Sequence, residues 1–346
     1  MANFDDFKLA IEAMSGGKNT VIFDDMEMPS VMVPIPKFTI GDVITGGSSN
    51  VHPAFMVDGV EKAVMYASKF QNIVLNNRAY SLPLKDPKVY TNFDQSVTYC
   101  RNKGNGWGLM PFSLWAALAL WCRKNGTMPR GNNNYGKDSS YTHEKGVPAA
   151  YNSDGTVSRI LTGSGPAGWY HNWMPDGIAD LNGNIWEWCA GMRLNDGEIN
   201  IIPYANCMNA DASMSATSTL WKAIALDGSM VEPGTSGTLK YSATKNSMVV
   251  SNSATTGSQG GSYAAMSNDT GGTIPEIAKA LILYPDELNG DYGGDNHYWN
   301  VEGERLPICG GCWATTSSAG VFCVDLNGTR SNSHDAIGFR SAFCEL

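Results

Sequence analysis

Cysteine and histidine are the residues of this 346-residue chain whose spacing could support metal or nucleophilic chemistry. Cys309 and Cys312 form one C-x-x-C pair among eight cysteines, a weak zinc signal because no second pair or matching histidine pair accompanies it. The five histidines are scattered, and no Ser/His/Asp triad is legible. The sequence therefore predicts no metal, no cofactor and no catalytic residue. We expect the thiols to be mostly reduced and buried.

The C-terminal residues carry a different pattern, which concerns binding. From Gly310 the chain reads GGCWATTSSAGVFCVDLNGTRSNSHDAIGFRSAFCEL, an apolar frame interleaved with small polar residues in no chemical order. Between Gly311 and Phe343 there is no Lys, Gln, Glu or Met. Changing only the adenines of an AAC codon can never produce those four residues. The pattern favours side chains that are rewritten at fixed positions. The alternative is a Ser/Asn/Gly-rich sheet with loops, as in many secreted β domains.

Two classes of position follow from this pattern. We expect the rewritten positions to face solvent and contact ligand, where substitutions cost little. These are Cys312, Ala314, Thr315, Thr316, Ser318, Cys323, Asp325, Asn327, Gly328, Asn332, His334, Asp335 and Ala336. We expect a second set to be the structural frame, in which each fully buried large apolar side chain contributes roughly 1.5–3 kcal/mol. These are Trp186, Glu187, Trp188, Trp313, Phe322, Arg330, Phe339 and Arg340.

Individual roles can be assigned within these sets. Glu187 is expected to be a buried acceptor for backbone N–H groups, and Arg330 and Arg340 to bind carbonyls or carboxylates beneath the surface. The rewritten set contains no Tyr, Trp or Arg, the residues that dominate binding hot spots. We therefore expect modest affinity for a single site. We also expect the edge of the Trp313 ring to contribute one aromatic contact to the binding surface.

Several elements must position these residues. Residues 4–14 fit an amphipathic helix, and residues 21–40 an extended arm that docks on another subunit or on its own domain. Two main helices are expected, one from Asn92 or Asp94 to Gly104 and one from Ser113 to Gly126. A third is expected to bury Val64, Ala67, Phe70 and Ile73. The remaining expectations are a hairpin turn at 182–184 leading into a Trp-Glu-Trp strand, a Ser/Thr-rich insertion at about 207–275, and a short helix at 274–285.

Composition limits the class of function. Charged residues make up 16% and apolar residues 42%, which is typical of a globular chain. The net charge of -9 argues against a nucleic-acid partner, and no apolar run reaches the length of a membrane span. The N-terminal residues lack the basic start and apolar core of a secretion signal. We expect synthesis in a bacterial cytoplasm without membrane insertion.

The order of motifs resembles a known family. The chain carries LMP-x-x-x-W at 109–115, DLNGNIWEW at 180–188, GG-x-W at 310–313 and GFR at 338–340. This order is similar to the formylglycine-generating-enzyme (sulfatase-modifying factor) branch of the C-type lectin fold, over about residues 50–346. The C-terminal spacing resembles the variable proteins of diversity-generating retroelements, of the major tropism determinant type. The resemblance implies an α+β, loop-rich fold with short antiparallel sheets and two main helices.

The resemblance also indicates what the chain does not do. Formylglycine-generating enzymes bind copper through two cysteines after their GGSY frame, whereas residues 313–320 contain no cysteine. A literal GGSY at 260–263 is followed by Ala-Ala-Met, again without cysteine. The Glu-Pro-Asn loop of calcium-dependent lectins is matched only by Glu232-Pro233-Gly234, which lacks the Asn. We therefore expect neither copper oxidation nor calcium-dependent sugar binding.

The resemblance implies a function and a setting. We expect a phage or prophage tail receptor-binding protein that recognises a bacterial surface protein or glycan and is displayed on the virion. The alternatives are an oxidase-like enzyme that uses Cys309 and Cys312, and a diversified bacterial ligand-binding protein. Residues 1–45 are expected to form a helix and arm, and residues 46–346 the lectin-like domain with its variable region at 310–346. We expect a homo-oligomer, a trimer by analogy; the alternative is a monomer.

Overall fold

The computed structural model describes residues 4–252 and 254–346. Its α-helices are α1 (Asp5–Met14), α2 (Ile40–Val43), α3 (Phe93–Arg101), α4 (Phe112–Asn125) and α5 (Glu276–Ala280). Short 3-10 helices lie at Pro53–Phe55, Ala167–Trp169, Asn206–Met208, Tyr263–Ala265 and Thr316–Ser318. Within these residues, no helix combines the length and apolar character needed to cross a membrane.

The strands are short and numerous. In chain order they are β1 (Thr20–Phe23), β2 (Pro29–Pro36), β3 (Met56–Val57), β4 (Val60–Glu61), β5 (Val64–Ser68), β6 (Ile73–Leu75), β7 (Arg78–Tyr80), β8 (Trp107–Leu109), β9 (Trp186–Trp188), β10 (Met192–Asn195), β11 (Glu198–Ile201), β12 (Lys222–Ile224), β13 (Met230–Val231), β14 (Lys240–Tyr241), β15 (Ser247–Val249), β16 (Ser258–Ser262), β17 (Ser267–Asn268), β18 (Asn296–Asn300), β19 (Glu304–Arg305), β20 (Ile308–Cys309), β21 (Val324–Leu326), β22 (Ile337–Phe339) and β23 (Ser341–Phe343). The predicted α+β class with short sheets is confirmed.

Three sheets organise the chain. A five-stranded sheet has the order β1-β2-β5-β23-β8, so the C-terminal strand β23 lies between two strands from the first third of the chain. A six-stranded sheet has the order β16-β18-β21-β20-β9-β22 and contains most of the C-terminal frame. An eight-stranded sheet, including β10 to β15, contains most of the predicted insertion. Strand β16, which carries the GGS of the GGSY sequence, nevertheless pairs with β18 in the six-stranded sheet.

The two main helices form for local reasons that the sequence signals. Asn92 caps α3 by accepting a hydrogen bond from the Gln95 backbone N–H, and the Gln95 side chain accepts in return from the Asn92 N–H. Gly126 ends α4 with a φ of 67°, a conformation that glycine adopts without cost. Helix α4 lies inside the main apolar core, with Leu114, Trp115 and Leu118 almost fully buried. Both predicted helices are confirmed.

For the N-terminal arm, the structure agrees with the alternative of docking on its own domain, because Thr20–Phe23 and Pro29–Pro36 form β1 and β2 of the five-stranded sheet of the same chain. Two other expectations are corrected. The helix expected around Val64 is strand β5, since pairing with β2 and β23 outweighs local helix propensity. The strand Trp186–Trp188 forms no hairpin within the described residues. It pairs with β20 and β22, which are distant in sequence.

Candidate ligand-binding surface

Two loops between three strands carry the predicted variable residues. Residues 310–323 connect β20 to β21, and residues 327–336 connect β21 to β22. Strand β21 is antiparallel to β20, β9 is antiparallel to β20, and β22 is parallel to β9. The first loop and the end of the second therefore lie at one end of the sheet, and residues 327–330 lie towards the other. The thirteen predicted positions do not form one patch.

The exposure of the predicted positions divides them into three groups. Ala314, Thr316, Asn332 and His334 are exposed, and Thr315, Ser318, Asp325, Asn327 and Asp335 are partly exposed. Solvent exposure was expected for all thirteen, and this is wrong for Cys312, Cys323, Gly328 and Ala336, which are buried. We call the six exposed or partly exposed residues at the shared end the loop-end patch; they are Ala314, Thr315, Thr316, Ser318, His334 and Asp335.

Packing explains the four buried positions. Cys312 and Ala336 bring the two loops together in one apolar cluster with Val89, Ile185 and Trp313. Cys323 has 0% exposure, directly before the buried strand β21. Gly328 approaches the ring of Trp188, which a Cβ at that position would contact at 3.4 Å. The residue types of these four positions are compatible with adenine changes in an AAC codon, which is why they are predicted to be rewritten, but the same small residues also suit tight packing.

Three exposed serines were missed by the sequence prediction. Ser317, Ser331 and Ser333 are exposed within the same two loops. Serine is also reachable from the AAC codon, so their residue type was an available signal. The spacing of the frame residues alone does not predict which loop residues are exposed, so it did not identify these serines.

The apolar frame anchors the first loop from beneath. Phe322 is fully buried and packs against Tyr263 and Tyr292, with ring centroids 5.3 and 4.9 Å away. Its backbone N–H donates to Asp295 Oδ2 at 2.7 Å. Gly320 lies so close to this carboxylate that a Cβ would collide with it. The AGVF motif therefore combines a buried ring with a position that only glycine fits.

The Asp295 carboxyl group is a buried acid below the first loop. It is 2% exposed and lies at a cavity of about 190 Å³ that Ser317 and Gly320 also line. Burial raises the pKa of Asp295 from 3.8 to about 8, against the lowering effect of the Phe322 N–H. The folded protein therefore favours the neutral acid at Asp295, and a negative charge there is destabilising.

The buried pair of Glu187 and Arg340 joins β9 to the residue after β22. Arg340 Nε donates to Glu187 Oε2 at 2.5 Å, and Arg340 Nη2 donates to Glu187 Oε1 at 2.6 Å. Gln71 Nε2 adds a third hydrogen bond to Glu187 at 2.9 Å. The remaining guanidinium N–H groups reach the carbonyls of Ser68 and Ala179. Arg340 thus binds a carboxylate and carbonyls as predicted, whereas Glu187 pairs with side chains and not with backbone N–H groups.

Arg330 is partly exposed and also structural. Its guanidinium donates to Glu304 at 3.0 Å, to Asp94 at 2.7 Å and to the Met214 carbonyl at 2.8 Å. These partners come from α3, from β19 and from the segment before β12. Arg330 therefore ties the second loop to distant parts of the chain, as expected of a frame residue.

Main-chain hydrogen bonds hold both loops at the shared end. Tyr135 N–H donates to the Trp313 carbonyl at 2.8 Å, and Thr316 N–H donates to the Asn133 carbonyl at 2.8 Å. In the second loop, the His334 carbonyl accepts from Tyr90 N–H at 3.0 Å. Segments 132–136 and 88–91 are thus part of the site, although no residue pattern in these segments predicts that they lie there. Trp313 itself is 5% exposed, so the expected aromatic edge from this ring is wrong.

The cysteines are arranged as a buried set. All eight are buried, as expected, and the described residues contain no disulfide bond between them. Burial raises the pKa of both Cys309 and Cys312. Among the described residues, no three His, Cys, Asp or Glu side chains lie where they could hold one metal ion together.

Comparison with known proteins gives structural likenesses alone. No family model and no curated protein sequence matches the chain. The Major Tropism Determinant U1 variant is similar at 12% identity and a TM-score of 0.33, over 90% of this chain. This chain spans 62% of that protein's length. Treponema denticola variable protein 1 is similar at 11% identity and 0.34, over 94% of this chain and 98% of its own. PvdO from Pseudomonas aeruginosa is similar at 15% identity and a TM-score of 0.30. The similarity covers 94% of this chain and 97% of PvdO.

Proposed function

We propose that this chain is a hypervariable ligand-binding protein of the C-type lectin fold, diversified by a retroelement, whose loop-end patch contacts the ligand. The observation that carries the proposal is the separation of positions within one short region. Ala314, Thr316 and His334 are exposed on loops, while Phe322 and Phe339 are fully buried. A surface with this separation accepts new side chains at little cost in stability. The restricted residue types of this region, which lacks Lys, Gln, Glu and Met between Gly311 and Phe343, give the proposal further support, because ordinary exposed loops have no such restriction.

The proposal also includes where the protein acts and what it binds, both of which the sequence resemblance suggests. The protein acts as a receptor-binding protein of a phage or prophage tail, made in a bacterial cytoplasm and carried on the virion, and its ligand is a bacterial surface molecule. The net charge of -9 supports a partner other than nucleic acid. A diversified cellular ligand-binding protein is the alternative within the same class.

An enzymatic role for the C-x-x-C pair is disfavoured by its surroundings. Cys309 is fully buried, and burial raises the pKa of its thiol well above the ordinary value. A protonated, inaccessible thiol is a poor nucleophile and a poor metal ligand. Residues 313–320 also lack the cysteine pair that the copper enzymes use. The proposed function is therefore binding without catalysis.

The proposal includes the assembly of several copies of the chain. The small polar side chains of the loop-end patch favour several copies acting together, since avidity can exceed single-site affinity by roughly 10²–10⁴. The proposed assembly is a homo-oligomer, a trimer by analogy, with the N-terminal arm contributing to its contacts. Light scattering on the full chain tests this, and a monomer at micromolar concentration would end it.

Deep sequencing of many natural copies of the gene tests the main proposal. Variation should concentrate at the loop-end patch and at the exposed serines, and should spare Trp313, Phe322 and Phe339. The buried positions Cys312, Cys323, Gly328 and Ala336 provide the internal control, because they share the codon-compatible residue types but lack exposure. Variation spread evenly along the chain would refute the proposal.

A further inference from the structure

Two tyrosines from outside the C-terminal region border the loop-end patch. Tyr90 is 63% exposed and Tyr135 is 43% exposed, so both rings are open to solvent. Tyr90 N–H donates to the carbonyl of His334, and Tyr135 N–H donates to the carbonyl of Trp313, directly before Ala314. Each tyrosine is therefore attached to one of the two loops that form the patch.

The backbone at both tyrosines is fixed relative to the patch. Tyr90 has a φ of 53° and Tyr135 a φ of 51°, a left-handed conformation that is uncommon for bulky residues. Val89, next to Tyr90, packs in the same cluster as Cys312, Trp313 and Ala336. The contacts that hold the tyrosines are thus main-chain hydrogen bonds and buried frame residues. A change of side chain within the patch leaves them in place.

The composition of the combined surface indicates a class of partner. The loops contribute small polar side chains, among them Ser317, Ser331, Asn332 and Ser333. Tyrosine together with serine, asparagine and glycine is typical of antibody paratopes, where tyrosine supplies rigid contact area at a low entropic cost and the small residues adapt to the partner. Antibodies that form standard-size interfaces with folded protein antigens use paratopes of this composition.

We propose that Tyr90 and Tyr135 are fixed contact residues of the binding surface, and that its partner is a folded protein. The two rings provide contact area common to all variants, and the loop-end patch selects the partner. This inference rests on the function proposed above and extends the site beyond the C-terminal region. It also replaces the expectation that the surface has no aromatic anchors.

The test is a display library built on the full chain. Positions 314, 315, 316, 318, 334 and 335 are randomised and selected against egg-white lysozyme as the protein probe and, in parallel, dextran-coated beads as the polysaccharide probe. Tyr90→Asn and Tyr135→Asn are then introduced into each selected binder. Asparagine tolerates the left-handed conformation and keeps the backbone N–H, so only the ring is lost. We expect lysozyme binders whose affinity falls about tenfold or more with each change.

Tyr204→Asn is the matched control. Tyr204 is 45% exposed and has a φ of 62°, but it lies at a cavity lined by Met56, Gly228 and Glu276, away from both loops. Its replacement should leave lysozyme affinity unchanged within about twofold. Melting temperatures of all three variants confirm folding, and Tyr→Phe at positions 90 and 135 should restore most of the affinity.

The outcomes separate this inference from the proposed function. Lysozyme binders that keep their affinity in both Tyr→Asn variants would overturn the role of the tyrosines and leave the proposed function intact. Binders to dextran alone would overturn the protein partner. A library that yields no binder to either probe would overturn both the inference and the proposed function.

Discussion

The C-terminal region contains two kinds of position that are close in sequence but differ in burial. The strands and their immediate neighbours bury Phe322, Phe339 and Arg340 completely, whereas the loops expose Thr316 and His334. Between them lies Cys323, which has the residue type of a loop position and the burial of a strand position. Tolerance of substitution is thus decided by where each side chain points and not by membership of a variable segment.

The largest effect is expected at the buried ion pair. Arg340→Met should lower the free energy of unfolding by about 3–5 kcal/mol, because it leaves the Glu187 carboxylate buried without its charged partner. Chemical denaturation measures this change. The double variant Glu187→Met with Arg340→Met should recover much of the loss, since neither charge is then left buried. If Arg340→Met changes stability by less than 1 kcal/mol, the frame does not depend on this pair.

A pH-dependent effect is expected at Asp295, beneath the first loop. Its pKa in the folded chain is raised from 3.8 to about 8, so its contribution to stability is present below pH 4 and is lost as the pH rises through 8. Asp295→Asn keeps an oxygen acceptor for the Phe322 N–H and removes the titration. The wild-type chain should lose up to about 1.4 kcal/mol per pH unit relative to this variant. Thermal unfolding of both chains between pH 5 and 9 measures the difference, and parallel curves would contradict it.

A smaller effect is expected at Cys323, one of the four buried positions among the predicted variable residues. Cys323→Asn should cost roughly 1–3 kcal/mol, because Cys323 has 0% exposure and a larger amide buried there loses its hydrogen bonds to water. Cys323→Ala is the matched control, since it removes the thiol without adding a polar group. Denaturation midpoints of the two variants give the comparison. Equal stability of the asparagine variant and the wild-type chain would return Cys323 to the variable set.

The smallest effects are expected in the loop-end patch. Thr316→Ala and His334→Ala should each change the free energy of unfolding by no more than about 0.5 kcal/mol, because both side chains are exposed. The same two changes should alter ligand binding in any selected variant. Melting temperatures and binding curves measured on one preparation provide the check. Large losses of stability would remove the distinction between loops and frame.

Much of the frame could be predicted because its signals are local or strongly patterned. The asparagine cap and terminal glycine located α3 and α4, and the repeated aromatic spacing identified Trp188, Phe322 and Phe339 as buried. Arg340 was assigned to carboxylates and carbonyls, which its contacts confirm. Such features depend on residue type and spacing, which a single sequence displays.

The remainder depends on contacts between distant segments, which a single sequence does not display. Val64–Ser68 has the spacing of a helix, but it is a strand because β2 and β23 lie on either side of it. Tyr90 and Tyr135 lie at the patch because their N–H groups donate to the carbonyls of His334 and Trp313, which are far away in the sequence. Burial of Cys312 and Ala336 likewise requires Val89 and Ile185 from elsewhere.

The position of β23 makes the five-stranded sheet depend on the reading frame of the C-terminal codons. Ser341–Phe343 pairs with β5 on one side and β8 on the other, so the five-stranded sheet is complete only when residues 310–340 have been translated in frame before this strand. A copying error that shifts the reading frame anywhere between codons 312 and 340 removes this strand and leaves two buried strand edges open. Such products cannot complete the sheet. The integrity of the five-stranded sheet therefore depends on the reading frame of the whole C-terminal region, whichever side chains occupy its exposed loops.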